Sequence, residues 1–465
     1  MKIYVDNKYI KFIGNYGFLI KMNNLSPNVY SVIFSFLDHK DIARASLSCK
    51  NAYRGSMMEL IWRELCLRKW SFCRISKSLN SWRALFIRRI TTDEGMLRGT
   101  PQDYAMAPCR GHIGYITSTI ILGDFIVSGS VDGEIILWSP ENPQTYKLNN
   151  IGRLEASITF LTHNDQLLLA GTNTGEFSVW SLGSELPREI TRGRLKLEQM
   201  TSIGLFDNNQ IFAGGNRYGN GKIIGIDAFN QVTLAEIGFE LFLPGAPLTA
   251  NIVKSGNFIY FGIRNTVYQL DLKTNIRRET HLGQQSVLKL SLENNKIIVN
   301  TNEGVYLMTL TLMIINYYPI NQPAQNRYIF YPQNFGDNYL STVANINGTT
   351  YISVGNNSTV SLLKIDKNNQ IVLVSKVEEK GKHFNSVSCN NFNFIAASNE
   401  NSIYVYDSTT GKKRYVLLGG SANPRLVPKS FVANTSKTGC VQAFIDEVKI
   451  VGVFGNMLRV YNFDL

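Results

Sequence analysis

Cysteine is scarce in this 465-residue chain, with six residues at 49, 66, 73, 109, 389 and 440 and no regular spacing. That pattern offers neither a disulfide framework nor a zinc motif. Histidine is scarcer still: the five, at 39, 112, 163, 281 and 383, do not cluster with acids or cysteines at ligand spacing. No run approaches about 18 uninterrupted apolar residues, so no transmembrane helix and no membrane partner are expected. The opening stretch carries Asp6, Lys8 and Lys11 where a signal peptide needs an unbroken apolar core. Few cysteines and no signal peptide read as a reducing compartment, cytoplasmic or nuclear. No Gly-x-Ser-x-Gly elbow is present. The glycine-rich stretch Gly214–Lys222 fails as a phosphate loop, because Ile223 follows Lys222 where Ser or Thr is required. The sequence therefore offers no catalytic constellation, no metal site and no cofactor, and the chain reads as a non-enzyme.

Charge is present but unevenly placed. The net charge is +12, and residues 1–110 hold 18 Lys/Arg against 8 Asp/Glu. The basic excess thus belongs to the N-terminal part. A basic face points to nucleic acid, acidic lipid or an acidic protein partner, or is merely a solvated surface. Alternating aromatics on a basic sheet, which would favour nucleic acid, are missing. Hydrophobic residues make up 44% and charged residues 18%, enough for a large core.

The most informative stretch is Gly111 to Trp138. It holds three partly alternating apolar runs separated by Gly123-Asp124 and Asp132-Gly133. Asp-Gly between such runs is a strong hairpin signal, because both residues tolerate positive φ. The same unit recurs with decay, at Ser157–Trp180, Thr201–Asp227, Ala250–Asp271, Ser286–Leu310, Ser341–Ile365, Ser386–Asp407 and Cys440–Phe463. That makes eight units, or seven if one weak copy is an insertion. Tyr104–Arg110 precedes the first unit and can be a strand that completes the last one.

Residues 1–22 read as two or three short accessory strands. From Leu25 the period becomes helical. Ser26-Pro27 is a helix start, a hydroxyl cap before a proline, and Val29, Ile33, Phe36 and Leu37 follow at helical spacing. Asp41 opens a second pattern with Ile42, Ala45 and Cys49. Met58, Ile61, Trp62, Leu65 and Cys66 make a third. Residues 71–103 continue as a helical linker, with Trp82, Leu85 and Phe86 on a helix ending near Gly95.

Two resemblances follow from these residues. Gly-His, strand, Asp-Gly and a strand ending in Trp resemble a blade of a WD40 β-propeller, which recurs every ~40–45 residues. That resemblance implies a hydrogen-bonded tetrad of His112, Ser128, Asp132 and Trp138, with Ser139 replacing the usual Asp. Residues Leu25 to Trp70 resemble an F-box through Leu-x-Pro, Ile-Phe-x-x-Leu, Asp-Ile, Cys49-Lys50 and Ile-Trp-Arg-x-Leu-Cys. The expected fold is thus mostly β: an all-α F-box at 23–70, then a WD40-like propeller over 104–465. Together the two resemble a substrate receptor of SCF-type ubiquitin ligases. The implied partners are a Skp-type adaptor with its cullin complex and a substrate protein, phosphorylated or not. The alternative is a propeller scaffold outside any ligase. If the chain is bacterial or viral, its compartment is a host cytosol. The F-box resemblance puts Leu25, Pro27, Ile33, Leu37, Ile42 and Cys49 against the adaptor, with Leu37 and Ile42 partly exposed in the free chain. The propeller resemblance puts the substrate on loops holding Arg153, Arg192, Arg194, Arg217, Tyr218, Arg264, Arg327, Lys382 and Arg425.

Overall fold

The computed structural model describes residues 2–5, 9–13, 18–21, 25–70, 81–183, 186–206, 209–217, 220–227, 236–243, 251–320, 341–346, 349–356, 359–378, 384–390, 393–398, 402–408, 410–418 and 442–464. The chain forms two compact units, divided between Glu94 and Gly95. The β unit therefore begins earlier than the 103/104 boundary expected from the sequence.

In the first unit, Lys2–Val5, Tyr9–Ile13 and Phe18–Lys21 pair as a three-stranded antiparallel sheet. Helices follow. Helix α1 (Pro27–Phe34) is capped by Ser26, whose hydroxyl accepts from Val29 N. Helix α2 (His39–Ser46) is capped by Asp38, which accepts from Asp41 N at 2.8 Å. Helix α3 (Lys50–Ser56) starts on Cys49, whose sulfur accepts from Ala52 N. Helix α4 (Glu59–Lys69) follows, and then α5 (Trp82–Arg98), which belongs to this unit as far as Glu94. The core is built from Tyr30, Ile33, Phe34 and Leu37 near and on α1, Ile42 and Ala45 on α2, and Ile61, Trp62, Leu65 and Cys66 on α4. Trp70 is fully buried there, edge-on to Phe86 at 5.3 Å, and its Nε1 donates to Asp93 at 3.2 Å.

Among the described residues the second unit holds eight four-stranded antiparallel sheets, one for each repeat found in the sequence. Their first strands begin at Ile116, Ile158, Gln199, Val253, Val287, Ser341, Phe384 and Gln442. The first sheet is Ile116–Leu122, Phe125–Ser130, Glu134–Asn142 and Thr145–Arg153. Apolar side chains of one sheet pack against those of the next. Val127, Ile135 and Leu137 meet Ile158, Leu168, Ala170 and Trp180 of the second sheet. The eighth sheet closes as expected. Ala105–Arg110 is its outer strand, paired from Ala105↔Asn462 to Arg110↔Met457. The closing strand's Ala107 and Cys109 then share a core with Ile116, Ile126 and Trp138 of the first sheet. Met96, within α5, is also buried in this unit, among Ile395, Ile403, Tyr461 and Phe463.

The turn between the second and third strands of the first sheet requires glycine. Gly133 has φ +82°, and a Cβ there would sit 2.1 Å from the Leu154 carbonyl oxygen. That neighbour is backbone and cannot swing away. Gly133→Ala is expected to cost more than about 1 kcal/mol, read as a lowered melting temperature. An unchanged melt would mean the turn relaxes freely.

Candidate functional site

The first sheet carries the best-defined polar constellation. His112 follows the closing strand, Ser128 lies on the second strand and Trp138 on the third. His112 Nε2 and Ser128 Oγ are 2.7 Å apart, and Trp138 Nε1 donates to the same Oγ at 2.8 Å. All three side chains are buried. The fourth residue of the expected tetrad behaves differently. Asp132 accepts from Gly114 N at 3.1 Å, from Glu134 N at 3.2 Å and from the Ser130 hydroxyl. It thus organises its own turn, while His112 Nδ1 has no hydrogen-bond partner among the described residues. Burial drives the His112 pKa down to about 4, with the Asp132 charge opposing. The ring is therefore neutral near pH 7. Burial pushes Asp132 upward, but the donors from Ser130, Glu134 and Gly114 outweigh it and hold the carboxyl low. In the second sheet Thr174 stands at the Asp132 position, and Thr172 and Thr174 hydroxyls pair at 3.0 Å instead. Trp180 there donates to the Ile151 carbonyl.

The arginines read as loop residues are placed otherwise. Arg153, Arg192 and Arg194 lie on outer strands, Thr145–Arg153 and Arg188–Arg194. Arg192 Nε donates to Glu189 at 2.8 Å, and Arg194 lies 3.9 Å from Glu155. Burial raises the Glu189 pKa, but the Arg192 fork and Ser178 hydroxyl more than reverse this. Arg192 is thus engaged within its own strand, and Arg194 has only a long contact to an exposed carboxylate between the first two sheets. Arg153 is exposed and gives its Nε to the Asp132 carbonyl at 3.1 Å. Arg264 is exposed in the turn after Phe258–Ile263. Arg217 ends the strand Gln210–Arg217, at the matching point of the neighbouring sheet. Its side chain, and Tyr218, Arg327, Lys382 and Arg425, lie outside the described residues.

A cavity of about 240 Å³ is lined by the first strands of several sheets, including Thr117, Thr159, Ser202 and Gln442 with Phe160 and Phe444. Among the described residues its lining carries hydroxyl, amide and apolar side chains and no ionisable group.

On the helical unit the structure corrects the sequence reading. Ile33, Leu37 and Ile42 are 6%, 4% and 1% exposed, so they belong to the helical core, and the partial exposure expected of Leu37 and Ile42 is not seen. Leu25, Pro27 and Cys49 remain partly exposed. A second apolar stripe, along α1 and just past its C-terminal end, is the one left exposed. Val29, Val32 and Phe36 are 43%, 61% and 66% exposed, and Leu47 beyond α2 is 86% exposed. The signal was visible in the spacing: Val29, Val32 and Phe36 lie three and four residues apart, offset from Tyr30, Ile33, Phe34 and Leu37. Cys49 is pushed up by burial, yet the Tyr30 hydroxyl and the Ala52 and Asn51 N–H groups bring its thiol below the usual value.

Eight sheets joined through their apolar faces, with a closing strand borrowed from upstream, settle the architecture. The fold is a WD40-like β-propeller. Solved structures share it: Saccharomyces cerevisiae Sqt1 aligns with 77% of this chain and 98% of its own, at TM-score 0.58 and 10% identity. The computationally designed Ika8 protein aligns with 77% of this chain and 99% of its own, at TM-score 0.56 and 14% identity. Among curated proteins, the Polycomb group protein FIE2 of Zea mays is 24% identical over 173 residues. That match spans 33% of this chain and 45% of the maize protein. No family model matches the chain. Among the described residues, no helix is long and apolar enough to cross a membrane.

Proposed function

We propose that the chain is a non-catalytic substrate receptor of an SCF-type ubiquitin ligase. In this reading residues 25–70 act as an F-box on a Skp-type adaptor bound to its cullin complex, and the propeller holds the substrate. The observation that carries it is the exposed stripe Val29, Val32 and Phe36 with Leu47, beside a separate buried core. Four large apolar side chains left to water on a small helical unit mark an interaction surface. The basic excess of the N-terminal part, 18 Lys/Arg against 8 Asp/Glu in residues 1–110, suits an acidic adaptor. In this reading the substrate meets the propeller face that bears Arg153 and Arg264, whose guanidinium forks suit carboxylate or phosphate groups.

Each buried aliphatic contributes about 1.5–3 kcal/mol. Changing Phe36 and Leu47 together to Asp is therefore expected to weaken binding to a recombinant Skp-type adaptor at least tenfold, with circular dichroism unchanged. Wild-type chain that fails to bind any such adaptor would rule the ligase reading out. A second reading, a propeller scaffold without a ligase, draws support from the local match to a Polycomb group protein. It is favoured if partners co-purify with residues 95–465 and no adaptor is among those of the full chain.

A further inference from the structure

We propose that the chain associates as a two-fold homodimer through an apolar strip that crosses the fourth, fifth and sixth propeller sheets, centred on Met313 and Ile314. The strip lies about the start of the fourth strands, Arg277–His281, Ile314–Pro319 and Ile371–Glu378. Ile276 is 60% exposed, Met313 67% and Ile314 48%, and Val372 and Leu373 are exposed beside them. Neighbouring turns are tied together. The Thr280 hydroxyl donates to the Leu312 carbonyl at 2.9 Å, and Ile371 N donates to the Asn316 side chain at 3.2 Å. The clustering is local and not a property of the fold, because the fourth strands of the first, second and seventh sheets begin with Thr145, Arg188 and Lys413. Large apolar side chains gathered on one surface mark a contact site.

Turn chemistry sets the fifth sheet apart. In the fourth to seventh sheets the turn before the fourth strand holds one residue in the left-handed region: Asn275 at φ +58°, Leu312 at +63°, Asn369 at +62° and Gly411 at +67°. Asn and Gly accept that conformation readily, whereas leucine adopts it at a steric cost. Leu312 packs in the core between the fourth and fifth sheets, which offsets the cost and fixes Met313 in its exposed place. An apolar contact held rigid in this way loses little entropy on binding. The occupant follows from charge. Residues 304–320, which span the third and fourth strands of the fifth sheet, include no charged residue. At a two-fold axis each residue meets its own copy, so a charge there would face its like. An axis crossing the strip at Met313 passes through this neutral sheet. It sets Ile276 of one copy toward Val372 and Leu373 of the other, apolar against apolar. An axis along the strip would instead set the exposed Arg277 and Arg278 against their own copies. Five apolar side chains a copy make a small contact beside the about 1,200–2,000 Å² of stable complexes, so the dimer is reversible.

The test is sedimentation equilibrium of the full chain over a series of protein concentrations. A reversible monomer–dimer equilibrium is expected, no weaker in high salt, because screening acts on charges and the contacts are apolar. Met313→Lys and Ile276→Lys are each expected to weaken it at least tenfold with an unchanged melting temperature, since both side chains are exposed. Leu148→Lys, exposed on the fourth strand of the first sheet and off the strip, should leave it unchanged. A chain that stays monomeric at every concentration overturns the proposal and gives the strip to a different partner. So do a dimer of wild-type affinity in Met313→Lys, a dimer that Leu148→Lys disrupts equally, and assembly beyond two copies.

Discussion

A chain that starts at Gly95 is expected to yield a folded, monodisperse propeller, and one that starts at His112 to aggregate. The first retains Met96 and the closing strand. The second loses Ala105–Arg110 and with it the partner of Met457–Asn462. It exposes a row of unpaired backbone groups, the template on which chains pair with one another. It also strips cover from Leu458 and Val460, both fully buried. Lost strand hydrogen bonds contribute about 0.5–1.5 kcal/mol each, so the sum rivals the roughly 5–15 kcal/mol that holds a whole domain. A chain that starts at Tyr104 keeps the strand but loses Met96, and its melt should fall between. Size-exclusion profiles and thermal melts read all three. Identical profiles for the starts at Gly95 and His112 would disprove closure by this strand.

The second large effect is expected from Trp70→Ala. Trp70 is fully buried, packs on Phe86, and lies beneath Lys69 and Arg89, which stand 5.2 and 5.5 Å from its ring. Its removal should cost about 3–5 kcal/mol, the range for truncating a large buried aromatic. It also deprives buried Asp93 of a donor. Burial already raises the Asp93 pKa, against the pull of Lys69 and Arg89. Helices α1 to α4 should then lose hydrogen-exchange protection. Trp70→Phe keeps a ring against Phe86 and should retain most of the protection. If Trp70→Ala leaves protection unchanged, the core is not organised around this residue.

These two variants separate what was legible in the sequence from what was not. The propeller was legible because each repeat repeats its turn chemistry and its three inner apolar strands. The fourth strands were not. Thr145–Arg153 has only half-buried and exposed positions, so it carries almost no apolar signal and reads as loop. Arg153, Arg192 and Arg194 were consequently put on loops, although pairing with inner strands holds them. Helix α3 was also missed, since Lys50–Ser56 is short and lacks an apolar stripe. On α1 one helix carries two stripes, and only packing against α3 and α4 decides which is core. Spacing could not rank Ile33 and Leu37 against Val32 and Phe36, because both sets satisfy a helical period. The tetrad illustrates a further gap. His112, Ser128 and Trp138 met as expected, whereas the direction of the Asp132 carboxylate depended on local backbone donors at Gly114 and Glu134.

Closure by an upstream strand also bears on how the chain is made. Ala105–Arg110 leaves the ribosome long before Met457–Asn462, yet neither can pair without the other. During synthesis the early strand must wait with its hydrogen-bonding groups in water. Its alternating pattern, with Met106 half-exposed and Arg110 exposed, keeps it from being continuously apolar while it waits. The helices, whose contacts are local, can form at once, whereas the ring pays the loop-closure entropy of nearly its full length in its final step. Translational pausing before residue 457 would therefore prolong an open, chaperone-dependent intermediate, and co-translational folding should be slowest at its very end.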